Sequence, residues 1–322
     1  MNLFESTFEK HKKLMLEAAE QQSEPVADKK LDQKFKADFW NDFEEMKVSQ
    51  FVQKYKTLMA DPKIHAFIAA GEKDNDDVEN FTVRKASGVV SKLIPCQNEI
   101  GFGNSLNDII GMSKWASVSE LNEILSGQNV ILSTPNGKIP IITFAGKYII
   151  DGHHRWSKIA CANPNASVVC LDFNNKAIGE NPEKALKAFH LAIAAELKGM
   201  PTEPLKGENL MQSSEERVRT YVNENLKSEF LTVYNQYKDQ IYRGVDKLQN
   251  DNVAQYIARN AKVTIIGATS GTDTPRIDMP QVDKATSTQK SLETGVINFA
   301  ADKVTEQLFE STFNKFKNLY TK

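Results

Sequence analysis

The chain has 322 residues, 40% of them hydrophobic, 25% charged and 9% aromatic, a globular composition with length for about two domains. Forty Lys and Arg stand against 42 Asp and Glu, and a net charge of −2 argues against strong non-specific nucleic-acid binding as the chain's main business, because that needs a basic surplus, while leaving room for a local basic patch. No stretch approaches the roughly 20 apolar residues of a membrane span, and the amphipathic opening Met1–Lys10 lacks the apolar core and cleavage site of a secretory signal.

Residues 1–80 read as helical. Leu3, Phe4, Phe8, His11, Leu14 and Met15 recur at three- and four-residue steps and mark one apolar helix face. Gln21–Leu31 is polar, contains Pro25 and reads as a linker. Phe35, Phe39, Trp40, Phe43, Met46, Phe51, Tyr55 and Met59 continue a helical pattern to Asp61-Pro62, and Ile64–Ala70 adds a last turn or two. The acidic run 71–77 reads as a solvated loop, since it lacks the ordered glycine and terminal glutamate of a calcium loop.

From about Thr82 the texture changes. Val89-Val90 and Leu93-Ile94 suggest a strand before Pro95. Ser117–Leu125 reads as a helix, with Ser117 or Ser119 as N-cap and Gly127 as C-cap. Val130–Ser133 and Ile139–Phe144 flank Pro135-Asn136-Gly137, a hairpin signal. Tyr148–Ile150 predicts a strand, Trp156–Ala162 a helix stopped by Asn163-Pro164-Asn165, and Val168–Phe173 another strand. Residues 82–175 are thus expected to form a small mixed α/β domain, and 176–322 a mostly helical region. In the latter, Glu183–Lys198 and Glu215–Tyr242 are helical (the second one long or two shorter helices), 267–291 is irregular, and a last helix covers Ala300–Tyr320. The fold class is therefore α+β, a small α/β domain flanked by N- and C-terminal helical regions.

Cys96, Cys161 and Cys170 are odd in number and form no Cys-x-x-Cys, which reads as small buried apolar residues in a reducing compartment. The cytoplasm of a cell, or a virus assembling inside one, fits equally well. One repeat stands out: Leu3-Phe-Glu-Ser-Thr-Phe recurs as Leu308-Phe-Glu-Ser-Thr-Phe, six identical residues in a row. Residues 3–15 and 308–320 are either terminal amphipathic helices packed on the body or two copies of a helical docking peptide for a protein partner or viral shell.

The chemistry-bearing segment is Tyr148-Ile-Ile-Asp-Gly-His-His-Arg-Trp. A short apolar strand meets a helix start at Gly152, which permits the turn and a close approach. The first helix amides and the positive dipole end, joined by His153, His154 and Arg155, suit an anion and a phosphate most of all. Asp151 can equally be a simple N-cap, and Trp156 core. Two of five histidines with an arginine and an aspartate at one glycine turn exceed what capping requires.

Residues 85–175 resemble the ParB/sulfiredoxin superfamily, in particular its ParB-like nuclease-type domains, which are frequent in bacteriophage proteins. Two stretches carry the resemblance: Val90-Ser-Lys-Leu-Ile-Pro-Cys-Gln-Asn-Glu-Ile, similar to the family's opening strand and Pro-Thr-Gln-like turn with Cys96 at the threonine position, and the Asp151–Arg155 box. The resemblance implies a pocket for ATP, ADP or CTP, with phosphates held by Gly152, His153, His154 and Arg155. Asp151 would hold Mg2+ through water, Glu99 would act as general base or second metal-site carboxylate, His153 and His154 would join the catalysis, and Gln97 would contact substrate or nucleotide. The chemistry implied is phosphoryl transfer or phosphodiester hydrolysis.

There are departures. Sulfiredoxins place a reactive cysteine where His153 sits, so their reductase chemistry is not expected. Partition-type ParB proteins carry Gly-Glu-Arg-Arg there and a helix-turn-helix afterwards, which the sequence after 175 lacks, so a DNA-binding partition factor is the weakest alternative. A virion-associated structural or interaction protein on an inactive scaffold is the other, resting on the duplicated terminal motif. Pro275–Asp283 reads either as an exposed linker or as a stretch that folds back so that Arg276 completes a phosphate clamp.

Overall fold

A computed structural model describes residues 33–70, 82–134, 137–175 and 178–285, and those from Asp38 onward belong to one compact unit. The expectations for the linker 21–31, the acidic loop 71–77, the terminal repeat and the helix 300–320 lie outside the described residues.

The class is α+β. A five-stranded mixed sheet has the order β1-β7-β5-β6-β2, built from β1 (Thr82–Val89), β2 (Ile94–Pro95), β5 (Ile141–Phe144), β6 (Tyr148–Asp151) and β7 (Ser167–Asn174). β1 runs antiparallel to β7 and β5 antiparallel to β6, whereas β5–β7 and β2–β6 are parallel. Two-residue strands β3 (Ser133–Thr134) and β4 (Gly137–Lys138) pair antiparallel around the predicted hairpin turn. The single strand expected over 89–94 is instead the end of β1, a 3-10 turn Val90–Lys92, and β2. The turn arises because Val90 and Ser91 spend their amides on the carbonyls of Ala166 and Pro164. Val130 makes only an isolated parallel bridge to Val168.

The helical pattern over 35–59 divides into α1 (Gln33–Glu45), α2 (Val48–Tyr55) and a 3-10 turn Leu58–Ala60, followed by α3 (Pro62–Ala70). The break between α1 and α2 is tertiary in origin. The Val48 amide donates to Glu183 Oε2 at 2.8 Å, and Lys47 pairs with Glu183 Oε1 at 3.0 Å. A carboxylate from elsewhere thus takes a helix-starting donor. Phe39, Phe51 and Tyr55 meet edge-on or tilted, with centroids 4.8 to 5.7 Å apart. Buried Lys187, from the helix Pro182–Leu197, reaches this group, donating to the Met46 carbonyl at 2.6 Å and standing 5.4 Å over the Phe43 ring. Burial draws its ammonium down to about 8.

In the central part, α4 (Phe102–Ile110) and α5 (Val118–Ser126) both pack against α6 (His153–Ala162). α5 obeys its sequence signals: the Ser117 hydroxyl accepts the Glu120 amide, and Gly127 closes the helix. α4 is absent from the predicted elements. Gly101, Gly103 and two asparagines mask it, yet Phe102, Leu106, Ile109 and Ile110 repeat at helical spacing and are buried.

C-terminal to the sheet come α7 (Pro182–Leu197), α8 (Glu215–Asn225), α9 (Ser228–Gln236), the single turn α10 (Lys238–Ile241) and α11 (Asn250–Thr264). α11 also falls outside the predicted set; its apolar positions are Val253, Ala254, Ile257, Ala258 and Ala261, a stripe built largely of alanine. α8 and α11 pack together, α11 on α6, and α9 on α5. Buried bonds tie them in: Asn260 donates to the Cys161 carbonyl at 3.0 Å and Trp156 Nε1 to the Val90 carbonyl at 2.8 Å. One apolar core therefore runs from Val90 to Ile265.

α7 begins at Asn181, whose side chain accepts the Glu183 and Lys184 amides at 3.0 and 3.2 Å. Asn181→Ala is expected to cost about 1 kcal/mol and to lower the thermal midpoint by a few degrees. An unchanged midpoint in a melting curve would show that these amides find other partners.

Candidate functional site

β6 delivers the chain to Gly152, which has φ 97° and N-caps α6 without a side-chain cap. The first bond inside the helix is from Trp156 N–H to the Gly152 carbonyl at 2.8 Å. Asp151 is therefore not the N-cap. It accepts instead from Arg155 Nη2 at 3.0 Å, an i,i+4 pair. The expected close approach over Gly152 is made by the chain itself, since a Cβ there would stand 2.8 Å from Arg155 Nη2.

The two histidines part company. His153 is buried, and its Nε2 accepts the Gln97 backbone N–H at 3.3 Å, so it faces inward as a tie between α6 and the segment after β2. Burial, reinforced by Arg276, holds its imidazole down at about 3, against the pull of Asp151. His154 lines an open cleft with Arg155 and Lys158. Asn104 from α4 lies 3.4 Å from His154 Nδ1; donation from the amide there places the ring proton on Nε2. His154 Nε2 and Arg155 Nε are both buried and have no hydrogen-bond partner in the chain. Burial first, then Arg276, lowers His154 to about 4, so both imidazoles are neutral at pH 7.

The cleft has a volume of about 650 Å³, within the range of small-molecule sites. α4 supplies Gly103, Asn104, Asn107 and Asp108, and the 113–120 stretch supplies Trp115 and Glu120. Lys158 is held between Asp108 at 2.5 Å and Glu120 at 2.9 Å. Sequence reasoning singled out none of these residues. For the four on α4 the signal was its unread helical spacing, which puts 103, 104, 107 and 108 on the face opposite the buried one.

The remaining predicted residues gather around the corner but off the cleft. Residues 270–278 fold back along the chain after β2 and are not an exposed linker. Thr272 Oγ1 donates to the Cys96 carbonyl at 2.7 Å, and the Asn98 amide to the Thr274 carbonyl at 2.9 Å. Glu99 Oε2 accepts the Arg276 backbone N–H at 2.7 Å, and the Arg276 guanidinium lies 3.6 Å from Glu203. Gln97 is buried, with its side-chain amide donating to the Glu99 carbonyl. Glu99, Gln97 and Arg276 thus hold the folded-back segment, and as placed they do not line the cleft, in contrast to the substrate-facing roles expected of them.

Asp151 is a poor cation holder here, with one oxygen committed to Arg155 and the Arg276 charge beside the corner. Among the described residues no group of three or more His, Cys, Asp or Glu could hold a metal. The three cysteines are free and buried, and burial pushes Cys161 to about 12 and Cys170 to about 11, which removes them as nucleophiles at neutral pH. No helix among the described residues is long and apolar enough to cross a membrane.

Fold and site together define an α+β protein with an uncapped, cation-bearing helix start opening on a cleft. Comparison of the chain with family models, curated proteins and solved structures finds no match.

Proposed function

We propose that the protein binds a nucleoside di- or triphosphate such as ATP, ADP or CTP, as a ParB/sulfiredoxin-like domain would, with the phosphates at the start of α6. The observation that carries this reading is the pair of buried donors without partners, His154 Nε2 and Arg155 Nε, in the wall of the cleft. A buried donor left unpaired costs about 1–3 kcal/mol; both nitrogens are closed to solvent as placed, so a turn of the two side chains toward the cleft would let a phosphate satisfy them while meeting the first amides of α6. The roles divide by residue. Gly152 sets the turn and His153 anchors it. His154, Arg155 and the amides take the phosphate oxygens, with Asp151 orienting Arg155.

Phosphoryl transfer or phosphodiester hydrolysis is the chemistry the resemblance adds. A base must lie within hydrogen-bond reach of the attacking oxygen, and the carboxylates positioned for that are Asp108 and Glu120 on Lys158, in preference to Glu99. Asp151 is poorly placed for Mg2+, because one of its oxygens pairs with Arg155. A host-cell cytoplasm suits three buried free thiols.

The test is thermal unfolding with ATP, ADP and CTP. A ligand at a hundred times its Kd adds about 2.7 kcal/mol to the native state, so the midpoint should rise by several degrees for at least one nucleotide. The rise should vanish in Arg155→Ala and shrink in His154→Ala. No rise for any nucleotide, or equal rises in the variants, overturns the reading.

A further inference from the structure

We propose that Trp115 is the platform on which the aromatic base of the bound nucleotide stacks, so that the cleft is built for a nucleoside phosphate and not for bare phosphate or a phosphosugar; this rests on the phosphate reading above. Trp115 is 61% exposed, whereas Trp156 is fully buried in the core. An indole left this open in the wall of a cleft offers a large flat apolar face that water solvates poorly. It is also oriented. Its backbone N–H donates to Ser113 Oγ at 3.1 Å, which holds the turn that carries it, and Lys114 Nζ stands 4.9 Å from the ring centre over one face.

Gly103 is an independent observation for the same space. It lies inside α4, where glycine is less favourable than alanine, and its φ is not in the left-handed region, so the backbone does not require it. A Cβ on Gly103 would stand 3.2 Å from Asn107 Nδ2. Asn107 Oδ1 accepts the Tyr221 hydroxyl at 2.6 Å, which fixes the amide and turns its N–H2 toward the gap that Gly103 leaves. Glycine here keeps that donor uncovered in the cleft. A nucleobase on Trp115 has ring nitrogens and carbonyls at its edge, the acceptors such a donor fits. The phosphate end at His154 and Arg155 and the base end at Trp115 and Asn107 line one cleft of nucleotide size.

The experiment titrates wild-type protein, Trp115→Leu and Trp115→Phe with ATP, CTP and inorganic tripolyphosphate. Heat of binding is followed throughout, and tryptophan emission in the wild type. The expected result is quenching by the nucleotides, with affinity about tenfold or more above that of tripolyphosphate, as base–aromatic stacking provides. Trp115→Leu should bring the nucleotides down to the tripolyphosphate level without changing tripolyphosphate affinity, and Trp115→Phe should keep most of the difference. Equal affinity of nucleotides and tripolyphosphate in the wild type, or undiminished nucleotide affinity in Trp115→Leu, overturns the stacking role and leaves the phosphate reading standing. No binding of tripolyphosphate or of either nucleotide overturns both.

Discussion

Gly152→Ala is expected to remove ligand binding and to lower the thermal midpoint by several degrees. Two effects act at once. Alanine at φ 97° costs about 1–2 kcal/mol against glycine. Its methyl would also stand 2.8 Å from Arg155 Nη2 and 3.2 Å from Cζ. The guanidinium is the free end of a long side chain and can move away, so the clash itself adds little instability. What moves, however, is the group paired with Asp151 and proposed to meet phosphate. Gly152→Asn separates the two effects. Asparagine tolerates the left-handed region, so much of the stability should return, but its Cβ displaces Arg155 all the same. Melting curves of both variants, with and without ATP or CTP, check this. Recovery of a ligand-induced rise in Gly152→Asn would show that Arg155 need not lie over residue 152.

Acidification should destabilise the protein steeply between about pH 6.5 and pH 4. His153, His154 and His190 are held down at about 3, 4 and 4, in each case chiefly by burial. In the unfolded chain the same imidazoles take up protons near pH 6.5. Below that value the unfolded state binds more protons than the folded one, so stability is fully present above about pH 6.5 and falls as pH drops toward the folded values. Each imidazole contributes up to about 1.4 kcal/mol per pH unit, so three together give a slope of up to about 4 kcal/mol per pH unit, and one unit of acidification then removes a large share of a typical domain's stability. His190 shows the cause most plainly. It is 1% exposed and its Nε2 donates to the Asp278 carbonyl at 2.8 Å, while Nδ1 is buried without a partner, so a proton there would be an uncompensated buried charge. Asp278 acts in the opposite sense, because burial raises its carboxyl and protonation there favours the folded state. Urea midpoints at pH 7, 6 and 5 read the slope, and His190→Gln should reduce it by about a third. A midpoint independent of pH over that range would show that these rings are hydrated in solution.

The histidines also show where sequence reading stops. Adjacent residues on a helix point about 100° apart, so His153 and His154 could not both face one ligand. Which of them turned inward depended on whether the Gln97 amide lay within reach, a contact across 56 positions. Glu99 and Arg276 are alike in this respect. Their residue types suited a phosphate site, and they do come to the corner, but they meet each other and Glu203. The cleft wall went unread because α4 begins Gly-Phe-Gly-Asn, where local propensity speaks against helix while the apolar spacing speaks for it.

What the residues determined alone was local: a serine cap at 117 or 119 and the Gly127 stop of α5, the hairpin pair around 135–136, the turn at Gly152, the stop after Ala162 and, from the tally of elements, the α+β class. The caps, turns and stops rest on bonds between near neighbours or on backbone sterics, so a few consecutive residues carry all the information. Tertiary structure decided the break at Met46-Lys47, made by Glu183, the return of residues 270–278 along Cys96–Asn98, and the pairing of Arg155 with the cleft formed by α4. Those depend on groups far apart in the chain competing for the same donors and the same space, and only packing settles that competition.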